Sequence, residues 1–444
     1  MILEHGIGGA KDLPIPAEYA IAGASAALAV SFIVLALAWR TPRFDAAHQG
    51  TPVRVLQPLV DSPVAGWVVR LLGLAFALYV GWAAVAGPDK VVNPFFGVFY
   101  VWLWVGLVPA SLLFGALYRS VNPVRTLHLL VSKAARIDPA VGLVRLPRWV
   151  GLWPAALGLF AFVWLELVYE RNSYLADVRL WCLVYVAIVF IGAFLFGDEW
   201  IGSADPFEVF STLVGRLSLF GRTADGTFVV RNPLASLDGT PPSAGLAAVV
   251  SVLFGSTAFD SFKDSPRWVG IVQDQRIFGL SIGWSRPTYN LLGLIAFIVI
   301  VFVTFSVATM LTGVQAGASR WALPNQFAHA VVPIIVGYVI AHYLSFFVVL
   351  GQSTLVQLSD PMVRGDNLLG TANLAVNPWI MLHPTLLAFV KVLSVVTGHV
   401  LGVVASHDRA IKLLPKRHQL TGQLPLLVVM VFYTASGLYL LLSA

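Results

Sequence analysis

Four ionisable residues interrupt long apolar stretches of this sequence: Glu166 in FVWLELVY, Arg179 in LADVRLW, His342 in VIAHYL and Lys391 in LAFVKVL. A charge inside a hydrocarbon layer is costly, so it faces a protein or water interior rather than lipid. At about 1.5 Å of rise per residue, all four fall in the outer half of the membrane. Opposite charges at matching depth can pair. The expectation is one buried polar cluster that opens outward and holds a substrate, ion or metal. The alternative is an ion pair that fixes helix packing.

Two polar segments add to that outer face. Segment 351–383 contributes Asp360, Asp366 and His383; segment 261–287 contributes Asp264 and Asp274, with Asp260 at the end of the preceding apolar run. His342, His383, Asp360 and Asp366 are therefore candidate ligands for a divalent metal such as Zn²⁺, which would activate water. No HExxH motif supports that set, and solvated loop residues capping the bundle are the other reading. His5 lies in HGIGG, before the first apolar run, where it would reach a metal or anion from the same face. On the inner side, GHVLGVVASHDRA carries His399 and His407. These two lie about 80° apart around a helix, so they could line one inner cavity. Gly398 and Gly402 beside them permit close helix approach.

Haem ligation meets an angular objection. His329 and His342, 13 residues apart, point about 140° away from each other on one helix, and His383 and His399 about 160°. Two stacked haems need both ligands of a helix on nearly one face. A single haem between His342 and His383, or between His329 and His399, survives that objection.

The elements that must position these residues are helices in a bilayer. Of 444 residues, 58% are hydrophobic and 11% charged, against about 25% charged in soluble domains. Ten apolar runs are long enough to cross as helices: about 19–39, 68–87, 97–118, 149–169, 174–196, 243–260, 288–312, 326–350, 384–405 and 424–443. The solid runs exclude a β-barrel. The net charge of +6 shows no Lys/Arg cluster with interleaved aromatics, so no nucleic-acid partner is expected. Cys182, the single cysteine, excludes an intramolecular disulfide or a thiolate cluster.

Charge sets the orientation. If all ten runs cross from an outer N-terminus, the inner loops carry 17 Lys and Arg and the outer segments 8, as the positive-inside rule requires. The short run 243–260 is weak by hydropathy. Leaving it uncrossed would put SHDRAIKLLPKRHQ outside, so it is read as crossing. The expected fold is an all-α polytopic transmembrane bundle of about ten spans, one domain over 1–444, with both termini outside.

A tandem hairpin repeat is expected within 68–220. FGALYRSVNPVRTLHLL from Phe114 and FGDEWIGSADPFEVFSTL from Phe196 share Ser-x-Asn/Asp-Pro before an amphipathic run. That pattern starts a helix, with Asn or Asp as cap and Pro in the first turn. The alternative is chance similarity between apolar segments.

The stretches HGIGGAKDLPIPAEY and GHVLGVVASHDRA resemble polytopic bacterial membrane proteins known as fenitrothion hydrolases. The resemblance implies a membrane-bound enzyme that cleaves an organophosphorus ester. It carries no catalytic motif over to this chain. The reading from the residues is a multi-pass protein of the bacterial plasma (inner) membrane with an outward-opening polar or metal site. It would handle a small solute or ion. A metal-dependent hydrolase, a haem or quinone electron-transfer subunit, and a structural subunit packing on protein partners in the membrane are the competing classes.

Overall fold

All ten apolar runs are helical in a computed structural model of the chain, which describes residues 9–47, 49–277, 280–281, 283–313, 319–415, 418–419 and 421–443. The fold is an all-α bundle. Among the described residues eight helices are long and apolar enough to cross a membrane: Ala17–Ala38 (span 1), Pro63–Ala86 (span 2), Leu175–Phe196 (span 5), Leu246–Lys263 (span 6), Arg286–Met310 (span 7), Arg320–Gln357 (span 8), Pro384–Leu413 (span 9) and Thr421–Leu442 (span 10). Span 3 is a bent pair, Pro94–Val105 and Leu107–Phe114, at 47° to each other. Pro109 explains the bend. It has no N–H to give the carbonyl four residues earlier, and its ring crowds that turn; Gly97–Val105 ahead of it winds as a π-helix. Span 4, Trp153–Leu167, is shorter, at 15 residues.

The ends of the bundle sort as the charge count requires. Loop 40–67 pairs with loop 197–242 in a three-stranded antiparallel sheet, Thr51 opposite Val230 and Phe220 opposite Val230 on its other side. Loop 119–148 joins them, with Asp198 N donating to Pro139 O at 3.0 Å. Arg409 and Lys412 of span 9 reach Asp238 of loop 197–242. At the opposite end, Asp89 accepts from Leu175 N, and Tyr79 donates to Leu358 O.

Span 6 crosses from one end to the other. Its start lies by Leu152, whose N–H donates to Ala244 O, and by Asn325, which accepts from Ala247 N. Asp260, near its far end, meets His342 of span 8. Its weak hydropathy has a physical cause: 89% of this helix is buried within the bundle, against 22–56% for the other seven. It never has to face lipid, so Ser251, Ser256, Thr257, Asp260 and Ser261 are tolerated, and the hydroxyls are satisfied by carbonyls three or four residues earlier. Span 6 touches spans 4, 7, 8 and 10, and is the axis of the fold.

Glycines set the contact between spans 8 and 9. A Cβ on Gly398 would lie 2.5 Å from Pro333 O, and one on Gly402 2.7 Å from Ala330 O. The backbones therefore approach as closely as small residues allow.

The two similar motifs meet face to face. Gly115 and Gly197, with φ of 76° and 75°, end spans 3 and 5 in a conformation that suits glycine. A short helix follows each, Leu117–Val121 and Asp198–Ala204, and then a capped Pro-initiated helix, Pro123–Ala134 and Pro206–Gly215. Pro123–Ala134 packs on spans 2 and 5 and Pro206–Gly215 on spans 3 and 4, so each cap helix bridges both hairpins. Between them Arg125 Nη2 and Glu208 Oε1 are 2.6 Å apart, both buried.

Candidate functional site

Asp260 gathers the buried chemistry of the outer half. Its Oδ2 accepts from Tyr343 Oη at 2.6 Å and lies 2.9 Å from His342 Nε2. Its Oδ1 is 3.3 Å from Lys263 Nζ, one helical turn further along span 6. Side chains three apart share a helix face, which puts the ammonium beside the carboxylate. His342 and Tyr343 come from span 8, as does Tyr338, one turn before His342. Asp260 is 4% exposed, so its charge is sustained by these donors rather than by water.

The imidazole is wired at both nitrogens. His342 Nδ1 is 3.0 Å from Ser261 Oγ, and Tyr338 Oη donates to that same oxygen at 3.1 Å. Ser261 Oγ is also 3.2 Å from Thr257 O. A neutral ring that donates from Nε2 to Asp260 accepts the Ser261 hydroxyl at Nδ1. A protonated ring donates from both nitrogens, and the hydroxyl turns to Thr257 O. One rotor change satisfies either state, because a hydroxyl both donates and accepts. Either form of the ring therefore keeps both of its nitrogens and the Ser261 hydroxyl hydrogen-bonded.

Glu166 of span 4 stands within electrostatic reach of Asp260 and Lys263, and its Oε2 has no hydrogen-bond partner among the described residues. The outer end of the cluster borders a cavity of about 210 Å³ lined by Lys263, Asp264, Trp268, Val272, Arg286 and Asn290, among others. Water entering there reaches the Lys263 ammonium.

Of the four residues expected to cluster, His342 bonds Asp260 and Glu166 lies within electrostatic reach of that same carboxylate. Arg179 Nε donates to Leu175 O at 3.2 Å and its Nη1 to Val85 O at 3.5 Å, against span 2. Lys391 is buried in span 9, within electrostatic reach of Asp12 ahead of span 1.

Of the four expected metal ligands, Asp360 and Asp366 share one loop turn, and the four do not form a set. His383 Nδ1 is 2.8 Å from Trp379 O, and its ring lies against the Trp379 ring at 4.4 Å. Asp360 accepts from Arg364 N and Gly365 N and closes a turn of its own loop. Burial alone would raise its pKa, but these N–H donors and that of Asp366 outweigh it and lower it. Among the described residues no three His, Cys, Asp or Glu side chains are grouped to hold a metal ion. Asp264 touches Lys263 at 3.4 Å, and Asp274 ends the helix Pro266–Asp274. His5 lies outside the described residues.

Family models, curated proteins and solved structures give no match to this chain.

The inner histidines do different work. His399 Nδ1 and His329 Nδ1 hydrogen-bond to carbonyls of Val395 and Gln326. His407 bridges Gln423 Oε1 at 3.0 Å and Trp39 O at 2.9 Å. Next to it, Asp408 accepts from Trp39 Nε1, Arg43 N and Phe44 N, and pairs with Lys412 at 3.2 Å. With Asp238 on Arg409 and Lys412, this network ties the inner end of span 9 to two loops. These bonds lace the described residues of this end together, and a cavity lies near the other.

Sequence reasoning placed Asp260 only as the end of a span and overlooked Lys263, Ser261, Tyr338 and Tyr343. One signal was present. Asp260 and Lys263 stand three apart in a helix, next to two small hydroxyl residues, in the least apolar of the ten runs.

Proposed function

We propose that this multi-pass protein is a permease of the bacterial plasma membrane that moves a small solute coupled to protons, with Asp260 and His342 as the proton-exchanging pair. The observation that carries the reading is the chain from Lys263 through Asp260 and His342 to Ser261 and Tyr338, buried between spans 6 and 8. Intramembrane carboxylates and imidazoles in hydrogen-bonded series are the usual material of proton relays. Glu166, close by and incompletely bonded, supplies a second carboxyl that a proton can visit.

Purified protein in pyranine-loaded vesicles with an imposed pH gradient tests this. Proton entry should fall at least tenfold in Asp260→Asn and in His342→Gln, and less in Tyr343→Phe, which removes one donor and leaves the pair. Folded variants that equilibrate pH as fast as the parent protein would overturn the assignment.

A further inference from the structure

We infer that the outer cavity beside Lys263 is a binding site for a small organic carboxylate with an apolar body. Its polar wall is cationic and has donors to spare. Lys263 carries three N–H groups, of which Asp260 and Asp264 engage two at long distances, 3.3 and 3.4 Å. Arg286, the first residue of span 7, makes no ion pair among the described residues. Asn290, one turn on, accepts Trp268 Nε1 at its Oδ1 at 2.9 Å, so the amide presents its NH₂ as donor. Ammonium, guanidinium and amide N–H groups thus face one space whose described lining holds a single carboxylate, Asp264. An Arg fork and a Lys are the groups suited to a carboxylate.

Much of the remaining lining is apolar. Leu167, Trp268, Val269 and Val272 supply it, and the Trp268 ring is held edge-on by Phe259 at 5.5 Å. At about 210 Å³ the space exceeds the cavity of about 150 Å³ that takes up benzene, and the excess suits one carboxylate group. An amine of the same shape would put its charge against Lys263 and Arg286. An inorganic anion would leave the apolar wall wet.

Binding of such an anion stands on the cavity alone. Its role as the co-transported solute rests on the proton-exchange reading. Carbon-14 benzoate is the probe, measured at equilibrium on the purified full-length protein in detergent, with benzylamine and benzyl alcohol as competitors. The expected result is saturable binding displaced by benzoate and at least tenfold less well by either competitor. Arg286→Gln, at an exposed position, should weaken binding at least tenfold, and Val272→Trp, which fills the cavity, should abolish it. His342→Gln should leave binding within twofold while stopping proton entry, which separates failure of this site from failure of the transport reading. Absence of saturable benzoate binding would overturn the inference. So would benzylamine competing as well as benzoate, or Arg286→Gln and Val272→Trp binding like the parent.

Discussion

Asn122 and Asp205 hydrogen-bond to each other between two hairpins: Nδ2 of Asn122 donates to Oδ2 of Asp205 at 2.9 Å. Each also caps its own helix, Asn122 accepting from Val124 N and Arg125 N, and Asp205 from Phe207 N and Glu208 N. Three residues on from the two caps stand Arg125 and Glu208, which pair with each other. Equivalent positions of the two hairpins thus meet across a shared boundary. Mutating both caps to Ala should therefore show coupling. A double-mutant cycle on Asn122→Ala and Asp205→Ala, read by thermal unfolding in detergent, should give about 1–3 kcal/mol of interaction energy. Additive losses would mean that each cap acts on its own helix alone.

Arg125 and Glu208 make the sharper test of the same boundary. Both are buried, and Glu208 also accepts from Asn122 at 2.9 Å. Removing one charge strands the other, at a cost of about 3–5 kcal/mol, whereas apolar replacement of both can be nearly neutral. Arg125→Met should therefore lower the unfolding temperature more than Arg125→Met with Glu208→Met. If the double variant is the less stable of the two, the pair itself, and not the stranded carboxylate, holds the hairpins.

The pH dependence has a definite sign. Asp205 lies beyond the end of span 5 and is fully buried; burial first, and then the charge of Glu208, raise its pKa from 3.8 to about 6, against hydrogen bonds from Glu208 N, Tyr185 and Asn122. A raised native pKa means that folding favours the protonated acid. Its contribution is complete below pH 4 and is lost as pH rises to about 6. At 1.36 kcal/mol per pH unit the full swing is about 3 kcal/mol. Between pH 4 and 6 the parent protein should lose stability relative to Asp205→Asn, whose residue does not titrate, and run parallel to it above pH 7. A difference that stays flat across pH 4–6 contradicts the account.

Much of this architecture was legible from hydropathy and charge. The ten helical segments, the crossing of span 6 and the sorting of loops to two ends follow from runs of about 20 apolar residues and from Lys/Arg placement. Rotation about each helix axis was not legible, because apolar residues surround every span and leave no polar stripe to mark the inward side. Arg179 and Lys391 share a depth with His342 but lie on other faces. Asp260 was hidden for the opposite reason. It lies in a helix so enclosed that its hydropathy is the lowest of the eight long spans.

Gly398 and Gly402 should tolerate no side chain. Valine at either position puts its first carbon 2.5–2.7 Å from a carbonyl oxygen of Pro333 or Ala330, so spans 8 and 9 must separate. Overpacking of this kind costs about 1–3 kcal/mol. The separation also shifts His342 relative to Asp260, so proton entry should fall along with stability. Gly66, with open space where its Cβ would be, provides the control. Gly66→Ala should change neither measurement.

The inner network predicts where a protease enters. Asp408 holds loop 40–67 through backbone bonds to Arg43 N at 2.6 Å and Phe44 N at 3.4 Å, with Trp39 Nε1 at 3.2 Å. Phe44 is buried behind these bonds, and its carbonyl accepts from Lys412 at 2.7 Å. Asp408→Ala removes an acceptor from all three N–H groups at once. Arg40 and Arg43 then sit in a segment free to enter a protease active site, while Arg364, at the other end of the bundle, is unaffected. Brief trypsin treatment of detergent-solubilised protein should cut Asp408→Ala after Arg40 or Arg43 at least tenfold faster than the parent. Cleavage after Arg364 should keep its rate. Equal acceleration at both ends would mean that the substitution unfolds the bundle rather than releasing this loop.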